Sequence, residues 1–245
     1  MNLIAIPIIC FSFFTQAAFG FGGGLIAISL LSLFLDAKDA VVMVMFFQFL
    51  IGLLIFKLWK EVDKPTLIRL APGLAIGTLA GFFMFSYVNT RIVDAALAVY
   101  ILIFLAQERG WMNWLSHAGK AVPEHVIPHI TSVIGGFIQG TTGTGGPTVI
   151  PYIKTNTSSA LCFRATMICL FFSLNGLRLM LTGVPHFADP QLLHTMLLTI
   201  PFFVLSIYLG YKAAHRIPMK VFQFTITALL LGSACSLAIK SFTMS

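Results

Sequence analysis

Charge is the scarcest ingredient of this chain. Only 9% of its residues are Asp, Glu, Lys or Arg, whereas a water-soluble domain carries roughly a quarter. That shortage excludes a soluble globular protein. Cysteine is sparse as well: Cys10, Cys162, Cys169 and Cys235 stand apart with no C-x-x-C pair, as expected of small buried hydrophobes rather than redox centres. No Lys or Arg precedes Lys38, so the apolar start lacks the basic region of a secretory signal and is expected to be mature membrane structure. Cys10 follows Ile8 and Ile9, without the small residue that precedes a lipoprotein cysteine. Neither glycine-rich stretch continues into G-K-[ST], which excludes a nucleotide-binding loop.

What is abundant is apolar length. The chain is 58% hydrophobic with a mean hydropathy of +0.95. Its apolar segments run roughly over 3–35, 38–59, 66–88, 92–106, 126–156, 159–182, 191–213 and 217–239. Barrel strands would show about 10 alternating residues each, so the fold class is an all-α polytopic membrane protein. The longest polar stretch, Gln107 to Glu124, contains Trp111 and Trp114, which suit a membrane interface. It divides the chain into 1–106, a linker 107–124, and 125–245.

The two parts repeat. "QAAFGFGGG" begins at Gln16 and "QGTTGTGGP" at Gln139. Gln16 falls on Gln139, Gly20 on Gly143, Gly22 on Gly145 and Gly23 on Gly146. Pro72 and Gly81 recur at the same spacing as Pro201 and Gly210, and Arg91-Ile92 as Arg216-Ile217. Landmarks in one order mark an internal duplication.

Length and charge give the repeats opposite orientations. A helix over 3–35 would be about 50 Å long against a hydrocarbon core of about 30 Å. Broken at its glycines it yields arms of about 17 and 11 residues, a re-entrant hairpin. The fifth segment breaks likewise, into arms of about 15 and 10. With both as hairpins, one face holds Lys57, Lys60, Lys64, Arg69, Arg109, Lys120, Lys154, Lys212, Arg216 and Lys220, and the other only Lys38, Arg91 and Lys240. Basic loops belong to the cytoplasm. The expectation is therefore two inverted repeats, each a glycine-broken helix plus three transmembrane helices. The linker is then cytoplasmic and both termini extracytoplasmic, in a plasma (inner) membrane.

Broken helices at matching places in two inverted halves point to a transporter's binding site. Each loop leads into a new helix, after Gly24 and at Pro147, and proline suits a first helical position. Two half-helix N-termini would then offer free N–H groups and positive dipole ends to an anion. The candidate binding residues are Gln16, Gly20, Gly22, Gly23 and Gly24 in the first loop. In the second they are Gln139, Thr141, Thr142, Gly143, Thr144, Gly145, Gly146 and Pro147, with the Thr148 hydroxyl adding a further donor. Arg164, Asn175 and Arg178 share one face of the sixth segment, which has no acidic residue to pair with them. Against these stand plainer readings: glycines that only let helices pack closely, and arginines that snorkel to headgroups.

Other residues point less far. Gln48 lies mid-span, facing the cavity or bonding across helices. Asp94 follows Arg91 at ion-pair spacing. His125 and His129 have the spacing of metal ligands but flank Pro128 without a further ligand motif, and His186 and His194 border a loop. No metal, cofactor or nucleic acid is expected. Nor is an enzyme, since no nucleophile, metal set or redox pair is visible in the spans. The expected partners are a small anion and the lipid bilayer, with a homodimer as a further expectation.

The paired Q-x-x-x-G-x-G-G motifs, with "GFGGG" at Gly20–Gly24 and "GTGGP" at Gly143–Pro147, resemble the sulfite exporter TauE/SafE family over essentially the whole chain. The resemblance implies transport of small anions such as sulfite, sulfonates or related sulfur and carboxylate compounds. Gly24 departs from the pattern, standing where the second motif has Pro147. Export of sulfite or a related oxyanion is the leading expectation, and uptake of a sulfonate or carboxylate the alternative.

Overall fold

A computed structural model describes residues 4–87, 126–182 and 190–213, with Val99, Leu102, Ile103 and Leu231 besides. Apart from those four residues, the expected spans over 92–106 and 217–239 lie outside the described residues. So do the linker 107–124 and Arg91, Asp94, His125, His186, Arg216, Lys220, Cys235 and Lys240. All regular structure among the described residues is helical: α1 (Ala5–Phe19), α2 (Gly23–Leu31), α3 (Ala37–Leu54), a 3₁₀ helix (Phe56–Glu61), α4 (Lys64–Tyr87), α5 (Ile127–Thr142), α6 (Gly146–Asn156), α7 (Ala160–Thr182) and α8 (Pro190–Ala213). Three stretches are long and apolar enough to cross a membrane: Lys64–Met84, Ala160–Leu181 and Pro190–Ala213. The chain is a multi-pass membrane protein.

Both overlong apolar segments break at their glycines. α1 stops at Gly20 with φ 89°, and Gly22, also at φ 89°, opens α2. α5 stops at Gly143 with φ 75°. A side chain in this left-handed region costs about 1–2 kcal/mol, which glycine avoids. The arms are 15 and 9 residues in the first segment and 16 and 11 in the second, within the usual uncertainty of helix ends. In the second segment the chain doubles back. Ile127, at the start of α5, and Asn156, at the end of α6, line one cleft together with Arg69 of α4.

Helix pairing follows from small residues. Gly73, Gly77 and Gly81 of α4 face Ser132, Val133 and Phe137 of α5 in turn, while Gly136 and Gly140 of α5 face Leu74 and Thr78 of α4. A Cβ at any of these glycines would strike the opposite helix, so the two backbones are in direct contact. The contacts climb both helices together, so α4 and α5 run parallel. α1 and α8 also run parallel: Phe13 packs edge-on against Phe203 at 5.1 Å, and Gly210 lies on the Phe14 carbonyl and Ala17. α3 and α7 run antiparallel, with Phe49 stacked on Phe172 at 4.7 Å and 14°, Gly52 against Phe172 and Gly176 against Phe49.

The pairing is reciprocal. Gly81 and Gly210, matched by their spacing after a proline, make one kind of contact twice: Gly81 sits on the Phe137 carbonyl and Gly210 on the Phe14 carbonyl. Phe14 and Phe137 are themselves matched when the glycine motifs are aligned. Each hairpin's first arm is thus held by a long helix from the other part of the chain. Phe47 of α3 joins Phe13 at 6.1 Å and Phe203 at 4.7 Å, closing an aromatic cluster beneath the first loop.

Candidate functional site

The two glycine loops meet. Gly24, in the first turn of α2, lies against the Gly143 carbonyl: a Cβ added there would stand 3.4 Å from that oxygen and would overlap the Gln48 amide. Gly143 in turn borders Ile28 of α2 and Nη1 of Arg178, at 3.2 and 3.0 Å from an ideal Cβ. Neither half-helix N-terminus carries a side-chain cap. The first-turn N–H groups of α2 and α6 have no partner within their own helices. Pro147 is the second residue of α6.

A chain of buried amides runs from one loop to the other. The Gly145 N–H donates to Gln139 Oε1 at 2.9 Å, and Gln139 Nε2 donates to Asn175 Oδ1 at 3.3 Å. Asn175 Nδ2 donates to Gln48 Oε1 at 2.8 Å and to the Phe171 carbonyl at 2.8 Å. The Gln48 amide ends against Gly24. Gln139, Asn175 and Gln48 are all buried, where a satisfied network of this kind fixes geometry strongly.

Gln16 occupies the place in the first loop that Gln139 holds in the second, yet it is used differently. It is 0% exposed, touches Gly23, and has no hydrogen-bond partner at Oε1 or Nε2 among the described residues. An unmet buried amide costs about 1–3 kcal/mol.

Arg164, Asn175 and Arg178 lie on the face of α7 that meets both loops. Arg164 Nη2 donates to the Ala17 carbonyl at 2.9 Å, and its guanidinium stands 5.5 Å over the Tyr211 ring. Its Cα and Cγ pack on Gly20. It therefore holds the last turn of α1, where a cation complements the helix dipole, and is buried rather than snorkelling to headgroups. Arg178 is 1% exposed, one of the largest fully buried side chains among the described residues.

The threonine hydroxyls turn into the protein. Thr141 bonds to the Phe137 and Ile138 carbonyls, Thr142 donates to Ile138 O at 2.9 Å, and Thr148 donates to Gly145 O at 2.6 Å. Thr142 and Thr144 share a bond of 2.6 Å. A hydroxyl has one proton, so Thr144 is the donor in that pair. These bonds shape the second loop.

Sequence reasoning left Gln48 undecided and passed over the glycine ladder of α4 and α5. Gly73, Gly77 and Gly81, four apart and facing Gly136 and Gly140, form the small-x-x-x-small signature that would have identified it. No group of three or more His, Cys, Asp or Glu side chains able to hold a metal occurs among the described residues.

A family model described as "Sulfite exporter TauE/SafE" matches residues 5–237. No curated protein and no solved structure gives a match.

Proposed function

This chain belongs to the sulfite exporter TauE/SafE family of membrane transporters, and from that premise we propose that it is a secondary transporter moving a small sulfur oxyanion outward. The supporting observation is that the first turn of α2 meets the second glycine loop beside a buried arginine, with Gly24 on the Gly143 carbonyl and Gly143 on Arg178, and that neither α2 nor α6 has a side-chain cap at its start. Backbone N–H groups at helix starts, dipoles of one sign and a buried cation form an anion site that needs no metal. In this reading the anion sits between the loops, completed by the Gln16 amide and held by Arg178. Arg164 secures the end of α1, and Asn175 and Gln139 fix the second loop.

The two halves act as inverted repeats exchanging access to the site. The antiparallel run of α3 along α7 and the reciprocal pairing of α1 with α8 and α5 with α4 support that reading. The basic face and the linker 107–124 lie in the cytoplasm of a cell whose plasma membrane holds the protein, with both termini outside. An anion leaves an inside-negative cell downhill by about 2.3 kcal/mol per charge per 100 mV, so the membrane potential alone suffices to drive export.

The test is flux of radiolabelled sulfite in proteoliposomes under imposed potentials of either sign, with a panel of unlabelled anions as competitors. Flux that follows the potential and disappears in Gly145→Leu is the expected result. Flux of a carboxylate or sulfonate in place of sulfite would keep the site and replace its substrate. Absence of any anion flux would reduce the loops to helix packing.

A further inference from the structure

A cleft of about 810 Å³ opens between the first turns of α4 and α5 and one face of α6. α6 contributes Thr148, Pro151, Tyr152, Thr155 and Asn156, positions three and four apart that make one face of the helix. Four of these five side chains are polar, an unusual stripe in a chain this apolar. Across from it stand Thr131 of α5 and Arg69 of α4, and Arg69 is the one charged residue among the described residues of the lining. A water occupies about 30 Å³, so the cleft has room for a small oxyanion with a first shell of water.

The stripe leads inward. Thr148, at its inner end, donates to the Gly145 carbonyl at 2.6 Å and abuts Gly135. The floor of the cleft is therefore the outer wall of the second glycine loop. At the other end α6 finishes at Asn156, where Thr155 and Asn156 are exposed.

Donors toward the cleft are few. Thr131 donates to Ile127 O at 2.9 Å, Thr155 to Tyr152 O at 2.9 Å, and Asn156 Nδ2 to the same carbonyl at 2.8 Å. These side chains wet the wall without offering protons. Arg69 differs: one of its five N–H groups, on Nη1, donates to the Tyr152 hydroxyl at 3.0 Å. The tyrosine accepts that bond and keeps its own proton, and Arg69 keeps its other donors. The pair is one cation and one polarised phenol held together at the side of a wet cleft.

We propose that this cleft is the aqueous vestibule through which the anion reaches the second glycine loop, and that Arg69, braced by Tyr152, is its charge-selecting residue. The inference rests on the anion-transport reading for its ligand but not for its test. A cleft walled by a single sign of charge raises the local concentration of counter-ions, by about tenfold at the low end.

The experiment measures modification of single cysteines in a background where Cys10, Cys162, Cys169 and Cys235 are serine. Thr148→Cys in open membrane fragments is treated with an anionic or a cationic methanethiosulfonate of similar size. The expected result is modification about tenfold faster by the anionic reagent. Arg69→Lys retains that preference, Arg69→Gln abolishes it while leaving Thr148→Cys reactive, and Tyr152→Phe weakens it. Thr131→Cys, on the opposite wall, gives the same readout if Thr148→Cys fails to accumulate. Equal rates for the two reagents, or unreactive cysteines at both positions, would overturn the vestibule. Sulfite flux through the parent protein separates the two readings: flux with unreactive cysteines removes only the vestibule, whereas charge-selective labelling without flux removes only the transport reading.

Discussion

The two glycine loops share a motif and differ in how they are finished. In the first, two glycines adopt left-handed backbone, Gly20 and Gly22, both at φ 89°. In the second only Gly143 does, at φ 75°, while Gly145 has an ordinary φ of −63°. Gly22 has open space where a Cβ would go, its nearest neighbour being Ile26 at 3.9 Å. At Gly145 a Cβ would overlap the Gly135 carbonyl and stand 2.7 Å from Gln139 Cβ. One glycine is required by its backbone angle, the other by crowding. The glutamines diverge in parallel: Gln139 is bonded at both ends, whereas Gln16 has neither end met among the described residues. A duplicated motif thus provides one loop whose glutamine is bonded at both ends and one whose glutamine has neither end met among the described residues.

Substitutions separate the two. The largest effect is expected from Gly145→Ala, where overpacking against backbone costs up to about 3 kcal/mol. Anion flux should fall roughly a hundredfold, and near-normal flux would mean that the second loop is not crowded in the working protein. Next comes the contrast between the glutamines. Gln139→Leu removes the partner of the Gly145 N–H and of Asn175 Oδ1 and should lower stability by about 2 kcal/mol. Gln16→Leu should leave thermal unfolding in detergent unchanged or raise it, while flux falls. Equal loss of stability in both variants would erase the asymmetry.

The arginines divide in the same way. Arg164→Gln removes one charged hydrogen bond from α1 and should cost about 1.5 kcal/mol of stability at an unchanged half-saturating anion concentration. Arg178→Gln should raise that concentration. The smallest change is at Gly22, where alanine pays the left-handed backbone penalty of about 1 kcal/mol. Gly22→Asn should recover most of that loss, because asparagine tolerates this conformation better. At Gly145 asparagine should rescue nothing.

The hairpins were legible because their cause is local. Clustered glycines inside an apolar run too long for a bilayer fix both the break and the arm lengths, and the arms expected from 3–35 and 126–156 correspond to α1, α2, α5 and α6 within a few residues. The matched prolines and glycines were legible too, since Gly81 and Gly210 do one job in two places. What the chain did not disclose depends on which helix lies opposite. Gln48 gains its place from Asn175, Arg164 from the exposed carbonyls at the end of α1, and the threonines of the second loop from their own preceding turn. An isolated sequence shows a polar side chain and its helical face, but not the carbonyl it will find.

The crossed pairing has a consequence in time. α5 meets a partner already made, since α4 precedes it. α1 does not: its partner α8 begins at Pro190, about 170 residues after α1 ends, which at ~5–20 residues per second is on the order of 10–30 s of synthesis. During that wait the first hairpin holds Phe13 and Ala17, both buried in the finished protein, without the helix that will pack on them. The newborn chain therefore passes through a stage in which the arm leading into its first glycine loop has an uncovered apolar face, and completion of α8 is the moment at which that arm becomes part of a folded protein.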